Sequence, residues 1–359
     1  MNEFKIAIVG CGGIANCKHF PALAKIPEAK LVAFCDLIEE RARDAAAKYG
    51  VPDAQVFIDY RELLEKSDAE LVYVLTPNRW HSEISVAALQ SGRHVMCEKP
   101  MAINYAEALR MVEAAKQSGK LLTIGYQNRY RADSLFLKDH CDRGGLGEVY
   151  FARARALRRR GVPTWGVFLD EYAQGGGPLI DIGTHALDMT LWIMNNHKPK
   201  YAVGTAYHKL NAQTETGNGF GSWDPAKFTV EDSAFGFVVM ENGATVIVES
   251  SWALNTLEGG EAITALSGTL GGADMYDGLR LNGILNGRQI ITRPDLGAGG
   301  VPFFPGASSD PSDVEQQIFL RAVSGEGELT VLPEQAAVVT RILDGIYESA
   351  KSGKPTYFE

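Results

Sequence analysis

The stretch FKIAIVGCGGIA, residues 4–15, decides the fold of the first part of the chain. A short apolar run ends in a glycine turn, and a helical pattern continues to about residue 26. The spacing Gly10-x-Gly12-x-x-Ala15 is typical of dinucleotide-binding turns, in which the glycines permit a tight turn and close approach of a pyrophosphate. The N terminus of the following helix offers free N–H groups to phosphates. The residues predicted to bind the cofactor here are Gly10, Gly12, Gly13, Ile14 and Ala15.

A second strand-like run, residues 30–35, ends in Asp36. This spacing is expected for the acid that accepts hydrogen bonds from the ribose hydroxyls. An acid at this position would repel a 2′-phosphate, and Leu37 offers that phosphate no partner, so NAD is favoured over NADP. Arg41 and Arg43 lie nearby in sequence, although a solvated helix face is the simpler interpretation of both.

Strands and helices alternate as far as residue 125. Helices are predicted over residues 38–49, 60–66, 80–91 and 104–118, and strands near residue 56 and over residues 71–74, 94–97 and 121–124. This alternation is typical of a doubly wound parallel sheet with right-handed crossovers. Ligands of such sheets lie beyond the carboxyl ends of the strands. Three further segments follow strands at that edge, namely 76–78, 98–100 and 126–129.

After about residue 130 the pattern changes to that of an α+β domain. Beyond a helix over 134–143, strands are predicted over 149–156, 201–206, 233–239, 245–250, 262–266, 279–281 and 289–292, with a hairpin turn at Asn242-Gly243. A surface loop over 297–309 and an amphipathic helix over 333–351 follow. We therefore predict a Rossmann domain over residues 1–126. Residues 127–359 are predicted to form a substrate-binding and oligomerisation domain, with a C-terminal helix able to pack back toward the first domain. Its large, mainly antiparallel sheet is expected to leave one face open, which suggests a subunit interface.

The stretch GGGPLIDIGTHALD, residues 175–188, places polar side chains on an otherwise apolar helix. Intervals of four and three residues put Asp181, His185 and Asp188 on one helix face. The stripe is either a satisfied hydrogen-bond network or a chemical site. We predict a structural hydrogen bond for Asp188, and we interpret the glycines as room for substrate and nicotinamide. A metal site is discounted because one helical stripe rarely supplies a complete ligand shell.

Lys99 provides a second site to which this stripe can be related. It follows a strand at the cofactor edge, where a cation would stabilise a developing alkoxide; the alternative is a solvated surface lysine. Hydride abstraction from a secondary alcohol needs such a cation, a base for the hydroxyl proton and an acceptor ring. His185 would be the general acid/base, while Asp181 would orient it or bind a substrate hydroxyl.

Composition and charge narrow the class of protein. The chain has 359 residues, 45% of them hydrophobic, and a formal net charge of −9, which argues against nucleic-acid binding. Five cysteines without a CxxC pair favour a reducing compartment. We expect a cytoplasmic protein without a signal peptide and without a membrane partner, because no long apolar span is present.

In order and spacing, these motifs resemble those of the Gfo/Idh/MocA oxidoreductases, which include glucose–fructose oxidoreductase and inositol 2-dehydrogenase. The matching segments are residues 10–15, Asp36, 76–81, 98–100, 125–130 and the GGG-x-x-x-D-x-G-x-H-x-x-D pattern at 175–188. The resemblance implies a Rossmann domain, an open-faced α/β domain, tightly held NAD(P), and catalysis by Lys99, Asp181 and His185. It also implies a homodimer or homotetramer joined through the open sheet.

The remaining predicted site residues line the cofactor and substrate sides of the cleft. Besides the glycine turn and Asp36, the cofactor residues are predicted to be Thr76, Pro77, Asn78, His81, Glu98, Lys99 and Gln127. The substrate residues are predicted to be Tyr126, Asn128, Arg129, Trp165, Asp181 and His185. Trp165 is either a platform for a sugar ring or a core-filling side chain. The arginines at 153, 155 and 158–160 either pair with carboxylates at an interface or bind an acidic substrate.

These observations predict an NAD-dependent oxidoreductase. It would transfer a hydride between the nicotinamide ring and a secondary alcohol of a sugar, cyclitol or related polyol. Two alternatives remain: an NAD-dependent glycosidase that acts by transient oxidation and elimination, and a non-catalytic sugar sensor on the same fold.

Overall fold

Two sheets organise the protein, whose computed structural model describes residues 3–296 and 310–358. The predicted loop at 297–309 lies outside the described residues. The chain divides into two units. The first comprises the described residues of Met1–Gln127 and Ser309–Ala337, and the second those of Asn128–Ser308 and Val338–Glu359. The domain boundary predicted after residue 126 stays a prediction. The described residues 310–337, which follow most of the second unit in sequence, are grouped with the first unit.

A six-stranded parallel sheet forms the first unit, as predicted. Its strands are β1 (Phe4–Val9), β2 (Ala29–Cys35), β3 (Gln55–Phe57), β4 (Leu71–Val74), β5 (His94–Cys97) and β6 (Leu122–Ile124), in the order β3-β2-β1-β4-β5-β6. The order reverses beside β1, which creates the crevice in which such folds bind nucleotides. All four residues of β4 are buried, which explains why its sequence is a continuous apolar run rather than an alternating one.

The helices of the first unit are Phe20–Leu23, Glu39–Tyr49, Tyr60–Lys66, His81–Gln90, Tyr105–Ser118 and Pro311–Val323. Side-chain caps begin three of them, because Asp59, Asn104 and Asp310 accept hydrogen bonds from Arg61 N, Glu107 N and Ser312 N. The prediction of one continuous helix from the glycine turn to about residue 26 is wrong in detail. A π-helical turn, Ala15–His19, precedes a short α-helix that ends at Leu23.

The helix Pro311–Val323 was not predicted. Its Phe319 and Leu320 are buried in the core that also contains Phe20, Phe34 and Tyr73. This helix follows the second sheet in sequence, yet it covers the first one. Hydrophobic periodicity cannot assign a helix to one of two cores.

A nine-stranded, mainly antiparallel sheet forms the second unit. Its strands are β7 (Val149–Leu157), β8 (Pro199–Tyr207), β9 (Ser233–Met240), β10 (Thr245–Ser251), β11 (Gly260–Gly268), β12 (Gly272–Asp274), β13 (Arg280–Leu285), β14 (Arg288–Thr292) and β15 (Thr356–Tyr357). Their order is β14-β13-β12-β11-β7-β10-β9-β8-β15, and only the β7–β10 pair is parallel among the described pairs. The short strands β12 and β15 were not predicted. The hairpin predicted at Asn242-Gly243 joins β9 to β10.

The helices of the second unit are Ala132–Asp142, Glu171–Gln174 and Thr184–Ile193, and the helix Pro333–Ser352 begins in the first unit and continues in the second. One face of the nine-stranded sheet packs on helices: Ile346 lies so close to Gly204 and Gly236 that a Cβ atom at either glycine would come within 2.6 Å of it. The opposite face carries a cross-strand row of Val203, Phe237 and Ile247, of which Phe237 is 43% exposed.

Candidate functional site

The glycine turn after β1 leaves its backbone open on one side. Gly10 has φ +98°, and a Cβ atom there would lie 2.6 Å from the Leu75 carbonyl oxygen, so only glycine fits. A Cβ atom at Gly12 or Gly13 would meet nothing within 4 Å. The turn is therefore shaped for the close approach of a ligand to its main chain.

Asp36 is fixed at the end of β2 by two main-chain donors. Its Oδ2 accepts a hydrogen bond from Cys11 N at 2.9 Å, and its Oδ1 accepts one from Ile38 N at 2.9 Å. These bonds tie the carboxylate to the glycine turn and leave lone pairs for further donors. Leu37 is 87% exposed and brings no positive charge to the carboxylate.

His81 is buried and contacts the segments that follow two strands. It is 1% exposed, and its Nδ1 and Nε2 lie 2.7 Å and 2.8 Å from the carbonyl oxygens of Pro100 and Thr76. Burial lowers the pKa of His81, although the two carbonyl acceptors oppose this by favouring a ring with both N–H groups. The imidazole thereby links the Thr76–Asn78 segment to the Glu98–Pro100 segment.

Glu98 is buried and fully engaged by groups of the first unit. Its Oε1 accepts hydrogen bonds from Lys18 at 2.7 Å and His19 at 2.8 Å, and its Oε2 accepts one from Lys99 N at 3.0 Å. Burial alone would raise the pKa of Glu98, but Lys18 and His19 hold it well below the usual range. Gln127, another predicted cofactor residue, accepts a hydrogen bond from Lys18 at 3.4 Å. Lys99 itself is half-buried.

In the second unit, the stripe at 181–188 begins in a helical turn that is not α-helical. A π-helical turn, Leu179–Gly183, precedes the α-helix Thr184–Ile193, which changes the angular spacing expected of an unbroken α-helix. The Oδ2 of Asp181, which is 8% exposed, accepts a hydrogen bond from Trp252 Nε1 at 3.0 Å. His185 is half-buried.

Asp188 pairs with Arg129 in the interior. Arg129 Nη2 and Nε donate to the two carboxylate oxygens of Asp188 at 2.6 Å and 2.9 Å. Their side chains are 0% and 1% exposed. Burial raises the pKa of Asp188, and Arg129 opposes that rise. The structural hydrogen bond predicted for Asp188 is confirmed, and the guanidinium that was predicted to bind substrate is held by this carboxylate.

Two of the three glycines before the helix, Gly176 and Gly177, make room for protein groups, which corrects the interpretation that these two leave space for substrate and nicotinamide. A Cβ atom at Gly176 would lie 2.3 Å from Tyr347 Oη, and one at Gly177 would lie 2.2 Å from the Glu231 carbonyl oxygen. The buried carboxylate of Glu231 accepts hydrogen bonds from Gly177 N at 2.7 Å, Leu179 N at 3.2 Å and Tyr347 Oη at 2.8 Å. Burial raises the pKa of Glu231, and these three donors oppose that rise. A carboxylate thus binds the free N–H groups at the start of the helical segment.

The other predicted substrate residues differ in accessibility. Trp165 is 53% exposed and packs edge-to-face against Phe220, with ring centroids 5.0 Å apart. It is therefore not a core-filling side chain. Tyr126 is buried, and Asn128 is half-buried.

Of the arginines at 153–160, several are paired within the chain. Arg158 binds Glu261 through two hydrogen bonds of 2.7 Å and 2.9 Å, and Arg155 lies 3.1 Å from Glu258.

Among the described residues, no cluster of three or more histidine, cysteine, aspartate or glutamate side chains is arranged to hold a metal ion. Nor does any described helix have the length and apolar character needed to cross a bilayer.

Comparison with known proteins decides the family. Residues 4–126 match an oxidoreductase family with an NAD-binding Rossmann fold, and residues 135–273 match the GFO/IDH/MocA C-terminal domain. D-glucoside 3-dehydrogenase of Escherichia coli (strain K12) is 34% identical over 352 residues, which cover 98% of this chain and 97% of that protein. The chain belongs to the Gfo/Idh/MocA oxidoreductase family. The predicted family, oxidoreductase class and NAD cofactor are thereby confirmed.

Other members of this family extend the comparison. Inositol 2-dehydrogenase of Salmonella typhimurium (strain LT2) is 32% identical over 193 residues, 53% of this chain and 54% of that protein. Levoglucosan dehydrogenase, solved with NADH and levoglucosan, has a TM-score of 0.82 at 20% identity and covers 99% of both chains. Aldose-aldose oxidoreductase from Caulobacter crescentus has a TM-score of 0.77 at 23% identity, over 99% of this chain and 100% of that one. These two structural likenesses show the shared fold.

The described residues of this Gfo/Idh/MocA oxidoreductase fit its cofactor. The open space at Gly12 and Gly13 leaves main-chain N–H groups accessible to a pyrophosphate, and Asp36 presents a fixed carboxylate beside them. Several residues that contact the predicted site residues, or the segments that carry them, were not predicted from the sequence. They are Lys18, Glu231, Trp252, Glu315 and Tyr347. They lie far away in sequence from the groups they contact. Their local sequence gives no common signal, since Glu315 and Trp252 each lie beside polar residues.

Proposed function

We propose that this chain is an NAD-dependent dehydrogenase that oxidises a secondary hydroxyl group of a glucoside or a related sugar, cyclitol or polyol. The observation that carries the proposal is a helical segment with a buried acid, Asp181, held by Trp252, and a half-buried imidazole, His185, four residues later. The likeness to D-glucoside 3-dehydrogenase over almost the full length of both chains supports a glucoside as the first substrate to test.

The chemistry requires one proton and one hydride to leave the substrate carbinol. NAD, when bound, supplies the hydride acceptor. We assign removal of the hydroxyl proton to His185, because an imidazole titrates near neutral pH. Asp181 accepts a hydrogen bond from Trp252, which fixes the carboxylate so that it can orient the imidazole or bind a substrate hydroxyl. The Lys99 ammonium would stabilise the negative charge that develops on the substrate oxygen.

We divide the predicted cofactor residues into two groups. Gly10, Gly12, Gly13, Ile14, Ala15 and Asp36 would contact the pyrophosphate and ribose directly, as would Thr76, Pro77 and Asn78 at the end of β4. His81, Glu98 and Gln127 would act by holding the segments that surround the cofactor. The contacts of the two His81 ring nitrogens with carbonyl oxygens and the hydrogen bond from Lys18 to Glu98 support this division.

On the substrate side, we propose that exposed Trp165 stacks on a sugar ring. Its exposed fraction of 53% supports this role. Arg129 would instead stabilise the helix that carries Asp181 and His185, because its guanidinium is paired with Asp188 in the interior.

A screen for substrate-dependent reduction of NAD or NADP tests the proposed function. Purified protein is mixed with NAD or NADP and with glucosides, free hexoses, inositols, anhydrosugars and uronates, and NADH absorbance is followed. We expect stoichiometric NADH and a ketosugar with at least one glucoside. Release of the aglycone without net NADH would support the elimination route instead, and binding of sugar without either product would support a sensor.

We also propose a homodimer or homotetramer built on the open face of the nine-stranded sheet. The row of exposed Val203, exposed Phe237 and half-buried Ile247 supports an apolar interface there. Phe237→Glu is expected to lower the oligomeric mass in analytical ultracentrifugation, whereas an unchanged mass would contradict this interface. We further propose a cytoplasmic location, which the five free cysteines support.

A further inference from the structure

A buried charged cluster connects four segments of the first unit. Lys18 belongs to the π-helical turn after the glycines, Glu98 follows β5, Gln127 follows β6, and Glu315 belongs to the helix Pro311–Val323. Lys18, Glu98 and Glu315 are 7%, 4% and 1% exposed. Removing one cation and two carboxylates from water costs free energy, so a buried cluster of this kind calls for an explanation.

Lys18 is the centre of the cluster. Its Nζ donates to Glu98 Oε1 at 2.7 Å and to Gln127 Oε1 at 3.4 Å, and it lies 2.9 Å from Glu315 Oε2. Burial would lower the pKa of Lys18, but Glu315 and Glu98 outweigh burial and raise it. The lysine therefore stays charged and fixed between the two carboxylates.

Glu98 transmits this position to Lys99. One of its carboxylate oxygens binds Lys18 and His19, and the other accepts the main-chain N–H of Lys99 at 3.0 Å. His19 is held in turn by Gln316 Nε2, 3.3 Å from its Nδ1. A carboxylate that cannot rotate fixes the main chain at the lysine to which the proposed function assigns charge stabilisation.

Glu315 holds the cluster from the side of the distant helix. Its Oε1 and the hydroxyl of Tyr73 are buried and have no hydrogen-bond partner in the described part of the chain. Burial, opposed by Lys18 and aided by the negative charge of Glu98, raises the pKa of Glu315 to about 7. The groups that face this carboxylate are thus Lys18, Glu98 and Tyr73.

We propose that Lys18 and Glu315 are positioning residues for Lys99, which they hold in place through Glu98. The proposal rests on the proposed function, because only there does the position of Lys99 matter for the reaction. Ionised Glu315 holds Lys18 opposite Glu98, whereas neutral Glu315 leaves Lys18 to Glu98 alone. The hold on Lys99 therefore strengthens as the pH rises through neutrality.

Glu315→Gln tests this proposal directly, because glutamine has the shape of the neutral carboxyl group. At pH 8 we expect kcat to fall by roughly tenfold to a hundredfold, since small misplacement of a catalytic group has effects of this size. At pH 6 we expect the variant and the wild type to agree within about twofold, because the wild-type carboxyl is then mostly neutral. The dissociation constant for NADH should stay within about threefold at both pH values, because Glu315 reaches no predicted cofactor residue except through Lys18.

The matched control is another ion pair between the same parts of the unit. Lys25 binds Asp313 at 2.7 Å, two residues before Glu315 in the same helix, and no described hydrogen bond joins Lys25 or Asp313 to Glu98. Asp313→Asn should leave kcat and its pH profile unchanged. If the helix merely needed to be docked, both substitutions would reduce activity in proportion to their loss of thermal stability.

Hydrogen exchange measured by mass spectrometry provides a readout that does not depend on activity. The amides of Glu98, Lys99 and Met101 should exchange about tenfold faster in Lys18→Met and in Glu315→Gln at pH 8, and at the wild-type rate in Asp313→Asn. If Lys18→Met does not fold, Glu315→Gln decides. Unchanged exchange together with a wild-type pH profile in Glu315→Gln would overturn the proposal. If the wild type reduces no NAD with any sugar, the proposed function fails, and the exchange rates alone decide whether Lys99 is held in this way.

Discussion

The buried pair of Arg129 and Asp188 allows a sharp test of what Arg129 does. Arg129→Met keeps an apolar stem of similar length but leaves the Asp188 carboxylate without its two donors in the interior. Removing one partner of a buried pair costs about 3–5 kcal/mol. The substitution also removes the contact of the guanidinium with the Trp192 ring, 5.4 Å away. For a unit of this size, the expected fall in Tm is roughly 6–20 °C.

A double-mutant cycle separates the pair from its surroundings. Asp188→Leu alone should also be strongly destabilising, because it leaves a buried guanidinium. The double variant Arg129→Met/Asp188→Leu should recover at least about 2 kcal/mol relative to Arg129→Met, since an apolar pair can replace a buried ion pair at little cost. Urea unfolding followed by circular dichroism measures all four proteins.

Two results would refute this reasoning. A loss below about 1 kcal/mol in Arg129→Met would mean that the pair is not needed for stability. Recovery of stability in the double variant with a KM for sugar at least about tenfold higher would mean that Arg129 binds substrate, as the sequence predicts.

Three further predictions concern other parts of the site. Trp252→Phe removes the buried donor to Asp181, and a lost hydrogen bond to a charged group should lower kcat/KM by roughly tenfold to a hundredfold. Trp223→Phe is its control, because this tryptophan also donates from a buried indole, to the Asn211 carbonyl oxygen at 2.9 Å, and equal losses in both variants would contradict a role specific to Asp181. The pKa of Glu315 is raised in the folded protein, so this group binds more protons when folded and its contribution to the free energy of unfolding falls as pH rises from about 4.5 to about 7. The free energy of unfolding of Glu315→Gln, minus that of the wild type, should therefore rise by up to about 3 kcal/mol between pH 5 and pH 8 in urea titrations. The buried histidines titrate in both proteins, so their contributions cancel in this difference. A difference that does not change with pH would be evidence against this. Asp36→Ser should raise the Kd for NAD about tenfold and narrow the preference over NADP in equilibrium titrations, and an unchanged ratio would show that the carboxylate does not select the cofactor.

The sequence predicts the first sheet closely because its strands are short apolar runs between turn residues. The bounds of β1, β4 and β5 agree with the predicted ones to the residue. The irregular turns are not predictable in this way. The π-helical turns at 15–19 and 179–183 contain no residue that forbids an ordinary α-helix.

The candidate site divides along the same line. Asp36 and the glycine turn are predictable because their spacing within one βαβ unit fixes their relation. The hydrogen bonds of Asp181 to Trp252 and of Glu231 to Gly177 are not, since 71 and 54 positions separate the partners. Spacings of four and three residues on a helix predict one face for Asp181, His185 and Asp188, but they do not indicate that Trp252 and Arg129 bind its two acids.

The position of the helix Pro311–Val323 has a consequence for synthesis on the ribosome. Its Phe319 and Leu320 complete the apolar core whose other parts are encoded before residue 127. At typical translation rates, the nearly 200 residues between these parts take about 10–40 s to synthesise. During this interval the nascent first unit exposes the apolar surface that the helix later covers. We therefore expect the first unit to reach its full stability only after the helix Pro311–Val323 has been synthesised.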